Sequence, residues 1–554
     1  MKLKNFLLYF VTGLCFGLPF PPINFYLLIF AGFALLLHII EDCKNYKELL
    51  IRVYITVFFF ELVATSWIPL SGVRESADRF LILGGAFVLL LHPILILLPV
   101  VLYYSIFKNI KINRFPNFHL IAFPFIWVSF EYLQTVTEVT FPWLLAGNAF
   151  TTNLEKIQYI EYTGVYGVSF WVCVLSVLAY YLYKTLKNSS DTIFVELRKK
   201  KNILVLIAIL IIYILPNIYT GISSPKNKYI NNSDENITIG VIQPNIDAWV
   251  KWGANQKVLI NDYSSMIKEI AGKKKDIKMI VLPETAIPFY LLYSSYDDLF
   301  EIFKNACDSS NTTVLTGTPD IILYENQSQA KIDSKKFNSS GQYYDTYNSA
   351  VLIEKNKEKT LYQKYNKIKL VIGSERMPYQ EKLPFLKNLI RWGVGIGSYQ
   401  LGKDTTIFLL DNKYIFNTAI CFESVFPGFF SDFINKGAQF SVIITNDAWW
   451  GKLFGTHQHN QYAVLRAIEN RRWIVRCANT GISCTIDPYG NIQNETKINE
   501  KALFTGEIGI RNDKTFYTIY GDAFALTCLC IGFALYLYGF FSKVLTKKKI
   551  ITSE

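Results

Sequence analysis

The chain has 554 residues, of which 51% are hydrophobic and only 18% are charged, and its formal net charge is +12. Soluble domains carry about a quarter charged residues, so this composition excludes an ordinary soluble enzyme and predicts membrane-spanning helices. A nucleic-acid partner is not indicated, because Lys and Arg fall in short runs between apolar stretches, as in loops that face anionic lipid.

Eight apolar stretches are long enough to cross a bilayer, which requires about 20 residues per helix. Seven lie near 5–21, 23–40, 50–70, 80–107, 116–136, 164–183 and 203–221, and the eighth covers 524–541. The first could be a signal peptide, but no small-residue cleavage site precedes the second, so we interpret it as a helix. The sequence therefore predicts a seven-helix membrane domain at 1–222 and a C-terminal helix with a tail at 524–554.

The positive residues in the connecting loops predict the orientation of these helices. One side carries Lys2, Lys4, Lys44, Lys47, Arg52, Lys108, Lys111, Arg114, Arg198, Lys199, Lys200 and Lys201. The other side carries Arg74, Arg79 and Lys156, together with Glu75, Asp78, Glu138, Glu155 and Glu161. We expect the basic side to be cytoplasmic. Seven crossings then place residues 223–523 outside the cytoplasm, and the last helix returns the basic tail to it.

Residues 223–523 are predicted to form an α/β domain, because short apolar runs alternate there with polar helices. Strand candidates begin at Ile237, Thr312, Ser349, Tyr414 and Phe440, and another ends at Glu284. Helix candidates cover 255–272, 297–308 and 459–471. The polar stretch 223–235 indicates a linker between the membrane and this domain.

Three segments place a reactive side chain at or just beyond an apolar run, where the sites of α/β proteins usually assemble. "IVLPETAIP" contains Glu284, a poorly solvated carboxylate suited to proton transfer, although the segment alone favours a Glu at a helix N-terminus. "NTAICFES" contains Cys421, which could be a nucleophile, although a buried core cysteine is more common. "YQKYNKIKLV" contains Lys364, Lys367 and Lys369, which could be a solvated strand edge.

In the order Glu, Lys, Cys, these segments together resemble the nitrilase superfamily of carbon–nitrogen hydrolases and acyltransferases. "PETAIP" resembles its glutamate motif, "YNKIKLV" its lysine motif and "ICFES" its cysteine motif. Residues 445–451, 457–472 and 479–492 add further similarity. The resemblance implies an α/β sandwich of the αββα type with Glu284, Lys367 and Cys421 as the catalytic triad.

Seven helices before such a domain and one after it are similar to the apolipoprotein N-acyltransferase family, as are "GLPFPPINF" and the loop "FPWLLAGNAF" at 141–150. The resemblance implies acyl transfer, through a thioester on Cys421, from a membrane phospholipid to the N-terminal amine of a diacylglyceryl apolipoprotein. It implies a monomeric bacterial inner-membrane enzyme with a periplasmic catalytic domain and no cofactor or metal. The resemblance also implies supporting roles for Glu375, Phe422 and Glu423. It implies substrate contacts for Trp143, Asn446 and Trp449.

Two features depart from the family pattern. The chain has "LVIGSERMP" where the family commonly has "LVPFGEYVP", so Glu375 keeps its place in a different turn. Phe422 stands where some members have Tyr, which removes a hydroxyl and keeps the backbone N–H.

Several alternatives remain open at the level of the sequence. A membrane-tethered amidase would use the same triad with water as acceptor, and a catalytically silent lipoprotein-binding factor would not use it. His457 and His459 lack a third ligand for zinc, which favours structural or substrate-contact roles. Lipid phosphate could contact Arg466, Arg471, Arg472 and Arg476, although pairing with Glu469 explains most of them equally well. A disulfide between Cys477 and Cys484 is also open.

Overall fold

The computed structural model describes residues 3–74, 77–110, 117–223, 235–358, 362–385 and 398–551. Most of the expected linker, and Lys2, Glu75, Lys111 and Arg114 of the loop-charge argument, lie outside these residues. The α-helices are α1 (Leu3–Gly17), α2 (Leu28–Asp42), α3 (Tyr46–Ala64), α4 (Trp67–Ser71), α5 (Phe80–Asn109), α6 (His119–Val136), α7 (Ile160–Thr163), α8 (Val165–Lys187), α9 (Ile193–Leu197), α10 (Lys200–Ser223), α11 (Ala248–Lys251), α12 (Gln256–Lys273), α13 (Asp297–Ser309), α14 (Pro427–Asn435), α15 (Phe454–Asn470), α16 (Phe516–Tyr520) and α17 (Ala523–Ile551).

A helix occupies each of the eight predicted spans, but only five helical segments among the described residues are long and apolar enough to cross a membrane. These are Tyr46–Ser71, Leu81–Asn109, Val165–Lys187, Lys200–Ser223 and Ala523–Ser542. The predicted first two spans are longer than the helices found there. Residues 18–27 form turns, which shorten α1 and α2 to 15 residues each. The 18-residue α6 carries buried polar groups that lower its hydropathy, including Glu131 and Gln134.

The strands of the described chain form two β-sheets. The strands are β1 (Glu235–Gln243), β2 (Ile277–Val281), β3 (Thr313–Leu323), β4 (Lys335–Lys336), β5 (Tyr343–Ile353), β6 (Gln363–Asn366), β7 (Ile407–Leu410), β8 (Tyr414–Ile420), β9 (Phe440–Thr445), β10 (Ile474–Ala478), β11 (Cys484–Ile486), β12 (Ile492–Gln493) and β13 (Ala502–Ile510). One sheet has the order β13-β1-β2-β3-β5-β4, with β6 also paired to β5, and the other has the order β12-β11-β10-β9-β8-β7.

The six predicted strands are all present, as are the three predicted helices of this segment. At the centre of each sheet three strands run parallel, namely β1, β2 and β3 in one and β8, β9 and β10 in the other. Strands β4, β6, β7 and β10 to β13 were not predicted, because most are short or lie at the sheet edges. The parallel strands bring their carboxyl ends to one edge, where ligands of such sheets usually bind.

The two sheets pack face to face and are covered by helices, as the αββα prediction requires. Apolar side chains of both sheets, including Val241 and Phe416, form the core between them. Helices α12 and α13 cover one sheet. On the other side, residues of α14 and α15, such as Phe430 and Leu465, belong to one apolar cluster with residues of the membrane helices. The α/β sandwich and the helical bundle therefore share a core.

Candidate active site

The candidate triad assembles from the ends of three strands. Cys421 directly follows β8, Lys367 directly follows β6, and Glu284 lies three residues beyond β2. Glu284 lies in a turn, so the interpretation as a helix N-terminal residue is wrong. The turn packs closely on β3, where a Cβ at Gly317 would approach the Thr285 nitrogen to 2.4 Å. Glycine at this position is therefore what lets the Glu284 turn lie against the sheet.

Glu284 and Lys367 form a buried ion pair that includes a second carboxylate. Lys367 Nζ lies 3.0 Å from Glu284 Oε1 and 3.0 Å from Glu375 Oε1. The Asn348 amide nitrogen donates to the same two carboxylates, at 2.8 and 2.9 Å. The backbone N–H of Asn446 donates to Glu284 Oε2 at 3.0 Å. With Lys367 only 1% exposed, the alternative of a solvated strand edge is wrong for this residue.

The pKa values of Lys367 and Cys421 are both raised, which leaves the lysine charged and the thiol neutral. Burial alone would lower the pKa of Lys367, but the charges of Glu284 and Glu375 raise that pKa well above its ordinary value. Burial, followed by the charge of Glu284, raises the pKa of the Cys421 thiol well above its ordinary value, although Lys367 opposes the shift. Cys421 therefore keeps its proton until a base removes it, and Lys367 keeps its positive charge throughout.

The backbone of Cys421 is held in an uncommon conformation. Its φ of +52° lies in the left-handed region, which a residue with a Cβ rarely adopts. The Cys421 carbonyl accepts a hydrogen bond from Ser424 Oγ at 2.8 Å and lies 3.1 Å from His459 Nε2. His459 Nδ1 in turn lies 2.9 Å from Asp447, which is also paired with Arg476. These buried contacts hold the Cys421 turn, and they give His459 a structural role.

Glu423 connects the cysteine turn to the lysine segment. Its Oε2 accepts the backbone N–H of Ile420 at 2.8 Å. Its Oε1 accepts the Tyr365 hydroxyl at 2.7 Å and the N–H groups of Ile368 and Lys369 at 2.7 and 3.1 Å. Burial raises the pKa of Glu423 to about 7, against the effect of these donors. The carboxylate thus fixes the position of Lys367 relative to Cys421 without touching either side chain.

Trp143 and Phe422 lie between the site and the membrane helices. Their rings stack with centroids 6.4 Å apart, and Trp143 is only 1% exposed. Gln458 of α15 accepts the indole N–H groups of Trp143 and Trp67, at 2.7 and 3.0 Å. Its amide nitrogen donates to the carbonyls of Pro21 and Ala64, at 3.1 and 3.0 Å. One glutamine therefore binds four segments of the membrane part, and Trp143 is buried in this contact.

The loop after β9 carries the other two predicted substrate contacts. Asn446 is 1% exposed, and its Nδ2 atom has no hydrogen-bond partner among the described residues. The half-buried Trp449 packs edge-on against Trp249, with ring centroids 5.0 Å apart. Its carbonyl accepts a hydrogen bond from Arg74 at 2.8 Å. The Asn446 amide oxygen accepts a hydrogen bond from Asn479 Nδ2 at 2.9 Å, so its unpaired amide nitrogen is the feature that favours substrate contact.

The four arginines that could have bound lipid phosphate are engaged with protein groups. Arg466 pairs with Glu469 at 2.6 Å, and Arg471 pairs with Glu161 at 3.0 Å. Arg476 pairs with Asp447, and Arg472 donates mainly to backbone carbonyls. Pairing with Glu469 thus holds for Arg466 alone. The nine cysteines are free, so Cys477 and Cys484 form no disulfide.

Two buried residues of the site were missed in the sequence. Asn348 bridges Glu284 and Glu375, but it directly precedes the strand predicted from Ser349 and is not part of a recognisable motif. Lys251 ends the short helix α11, and its Nζ donates to Thr285 Oγ1 at 3.1 Å. The sequence "WVKW" around Lys251 gives no sign that this lysine is 1% exposed beside the glutamate turn.

Comparison with known proteins first gives the class. The family model for carbon-nitrogen hydrolases matches residues 238–511, which contain Glu284, Lys367 and Cys421. The model for the apolipoprotein N-acyltransferase N-terminal domain matches residues 12–178. The α/β domain therefore has the fold of the carbon–nitrogen hydrolase superfamily, and it is joined to a membrane domain of one particular branch.

The relatives agree with this second match. The apolipoprotein N-acyltransferase of Chlorobaculum tepidum is 29% identical over 544 residues, which cover 96% of each chain. That of Geobacter metallireducens is 29% identical over 74% of this chain and 72% of its own. That of Rickettsia typhi is 27% identical over 91% and 92%. The chain belongs to the apolipoprotein N-acyltransferase family and is an acyltransferase.

Proposed function

We propose that this protein transfers a fatty acyl chain from a membrane phospholipid to the N-terminal α-amine of the diacylglyceryl-cysteine of apolipoproteins. One observation carries the proposal: the buried Glu284, Lys367 and Cys421 site lies in a sandwich whose outer helices share an apolar core with the membrane bundle. A lipid donor and a lipid-anchored acceptor both remain in the bilayer, so a site fixed against the membrane suits them.

In the first half-reaction, Cys421 attacks the ester carbonyl of the phospholipid. Glu284 takes the thiol proton and passes it to the departing glycerol oxygen, so a thioester forms and a lysophospholipid leaves. Lys367, whose charge is fixed by the two carboxylates, and the backbone N–H of Phe422 stabilise the oxyanion. Such a donor contributes about 3–4 kcal/mol to transition-state stabilisation. Asn446 contributes its unpaired amide nitrogen to substrate binding.

In the second half-reaction, the α-amine of the acceptor attacks the thioester. Glu284 acts again, as the base that removes a proton from the attacking nitrogen and returns it to the cysteine sulfur. Glu375 and Glu423 hold Lys367, the Glu284 turn and the Cys421 turn in their positions relative to one another. An amidase would instead complete the cycle with water. The apolar core shared by the sandwich and the bundle favours the transferase, because a soluble amide needs no such contact.

We further propose that the enzyme is a monomer of the bacterial inner membrane, with both termini in the cytoplasm and residues 223–523 in the periplasm. The charge of the connecting loops supports this orientation.

The test is incubation of the purified full-length protein with phospholipid vesicles and a synthetic diacylglyceryl-cysteine lipopeptide, followed by mass spectrometry. We expect a triacylated lipopeptide and a lysophospholipid in equal amounts, and a thioester on Cys421 when the lipopeptide is left out. Cys421→Ala is the matched control and should give neither product. Release of free fatty acid with an unchanged lipopeptide would support the amidase, and no reaction at all would support the silent binding factor.

A further inference from the structure

Lys251 lies beside the site and has no part in the reaction described above. Its Nζ donates to the hydroxyl of Thr285 at 3.1 Å, and the side chain is buried. Thr285 directly follows Glu284 and has a left-handed φ of +45°. The lysine therefore contacts the turn that carries the catalytic base.

The surroundings of Lys251 differ from those of Lys367 in one respect. Lys367 lies between two carboxylates, whereas the hydrogen bond of Lys251 goes to a hydroxyl. The charge that faces Lys251 is that of Glu284, while Asp247 on its own helix caps the N–H groups of that helix. Arg74, from the loop after α4, is coupled to Asp247.

This difference in surroundings determines the protonation state of Lys251. Burial lowers the pKa of Lys251 to about 7, and the charge of Glu284 opposes the shift only in part. A lysine with this pKa is present as the neutral amine in a large fraction at neutral pH and can accept a proton. Lys367 cannot accept a proton, because its raised pKa keeps it in the charged form.

A cavity of about 200 Å³ lies next to this part of the site. Trp252, which follows Lys251, lines it together with Tyr290 and Tyr399. Tyr399 is electrostatically coupled to Glu375 and Glu284, so the cavity lies on the carboxylate side of the site. An acceptor amine bound in this cavity would lie near the Glu284 turn that Lys251 contacts.

The proposed reaction needs a second base in only one of its halves. In the first half, the single thiol proton moves through Glu284 to the glycerol oxygen, and no proton is left over. In the second half, the acceptor arrives as an ammonium group and must lose two protons to become an amide. One of them returns to the sulfur of Cys421 through Glu284, and the other needs a different acceptor.

We propose that Lys251 is the base that accepts this surplus proton, an inference that rests on the proposed acyl transfer. The neutral amine of Lys251 takes one proton from the acceptor ammonium, whose nitrogen then attacks the thioester carbonyl. The carbon–nitrogen bond forms, the carbon–sulfur bond breaks, and Glu284 moves the second proton from nitrogen to sulfur. Lys251 afterwards releases its proton to water. The residue thus serves transfer to an amine but not formation of the thioester.

The experiment separates the two halves in single-turnover reactions of the full-length protein. The thioester is first formed from phosphatidylethanolamine vesicles, and its loss is then followed by intact mass after addition of the lipopeptide between pH 6 and 9. For Lys251→Met we expect thioester formation within a few-fold of the wild type and transfer slower on the order of 100-fold at pH 7. Transfer by the variant should recover as the pH rises, because more of the acceptor amine is then already neutral.

Three further measurements exclude a merely structural effect. Lys251→Arg keeps the charge and cannot accept a proton, so it should be as slow as Lys251→Met in transfer. Hydroxylamine is uncharged at neutral pH, so it should cleave the thioester of the variant as fast as that of the wild type. Lys304→Met removes another buried lysine, one paired with Asp308 at 2.5 Å, and should leave the ratio of the two rates unchanged.

Equal loss of both half-reactions in Lys251→Met, or a transfer rate with the pH profile of the wild type, would overturn the assignment. Slow cleavage by hydroxylamine would overturn it as well. If the wild-type protein itself forms no thioester or transfers nothing to the lipopeptide, the proposed function fails first, and that result is distinct from any difference between the variants.

Discussion

Replacement of Gln458 by Met should weaken the attachment of the catalytic sandwich to the membrane bundle. Met has nearly the shape of Gln, but it can neither accept from Trp67 and Trp143 nor donate to Pro21 and Ala64. Gln458 is 1% exposed, so these four groups lose their partner in a place that water does not reach. Each buried group left without a partner costs about 1–3 kcal/mol, which gives a loss of at least about 4 kcal/mol.

The assay is thermal unfolding of the purified protein in detergent. In a domain of about 150–250 residues, 1 kcal/mol shifts Tm by roughly 2–4 °C, so we expect a decrease of roughly 8–16 °C. Hydrogen exchange should increase in α15 and in the loop at 141–150, because both lose an anchor. Gln493→Met, at a half-buried position of β12 that takes no part in this contact, is the matched control. A Tm of Gln458→Met within about 2 °C of the wild type would refute the reasoning.

Three other predictions concern the site and the orientation. Lys367→Ala should abolish formation of the thioester, whereas Lys364→Ala and Lys369→Ala should retain most of it; normal acylation of the first variant would show that the lysine motif is placed in the wrong register. Glu423→Gln puts an NH₂ group opposite backbone N–H donors and should cost about 1–3 kcal/mol in the free energy of unfolding, read from denaturant titration. An unchanged midpoint would contradict the four hydrogen bonds. Reporter fusions near residue 230 and at the C-terminus should report periplasm and cytoplasm respectively, and the reverse result would contradict the loop-charge argument.

The sequence predicted the site to the extent that the site consists of strand ends. Glu284 and Cys421 each follow an apolar run, and the carboxyl ends of parallel strands meet at one edge, so their proximity could be expected from the order of strands and helices alone. Lys367 could not be ranked above its neighbours by spacing, and only the motif selected it. Its burial between two carboxylates depends on β6 pairing with β5, which a four-residue strand does not reveal.

The residues that were missed act over long distances in the chain. Asn348 is 64 residues from Glu284, and Gln458 is 315 residues from Trp143. A polar side chain within a strand or helix gives no indication of such a partner, because a solvated face is the ordinary explanation. The same holds for Lys251, whose burial arises from the turn that follows Glu284. The membrane spans were predicted in position but not in length, because turns at the first hairpin shorten both helices.

The position of Gln458 in α15 affects whether the α/β domain can be separated from the membrane helices. The next residue, His459, contacts the carbonyl of Cys421, so the anchor to the bundle and the support of the proposed nucleophile are neighbours on one helix. A truncated protein that begins after the last of the N-terminal helices would leave the Gln458 amide and the stacked face of Phe422 open to water. Soluble catalytic fragments are therefore poor substitutes for the intact protein in inhibitor screening. Compounds found with such fragments would meet a nucleophile whose support differs from that in the cell.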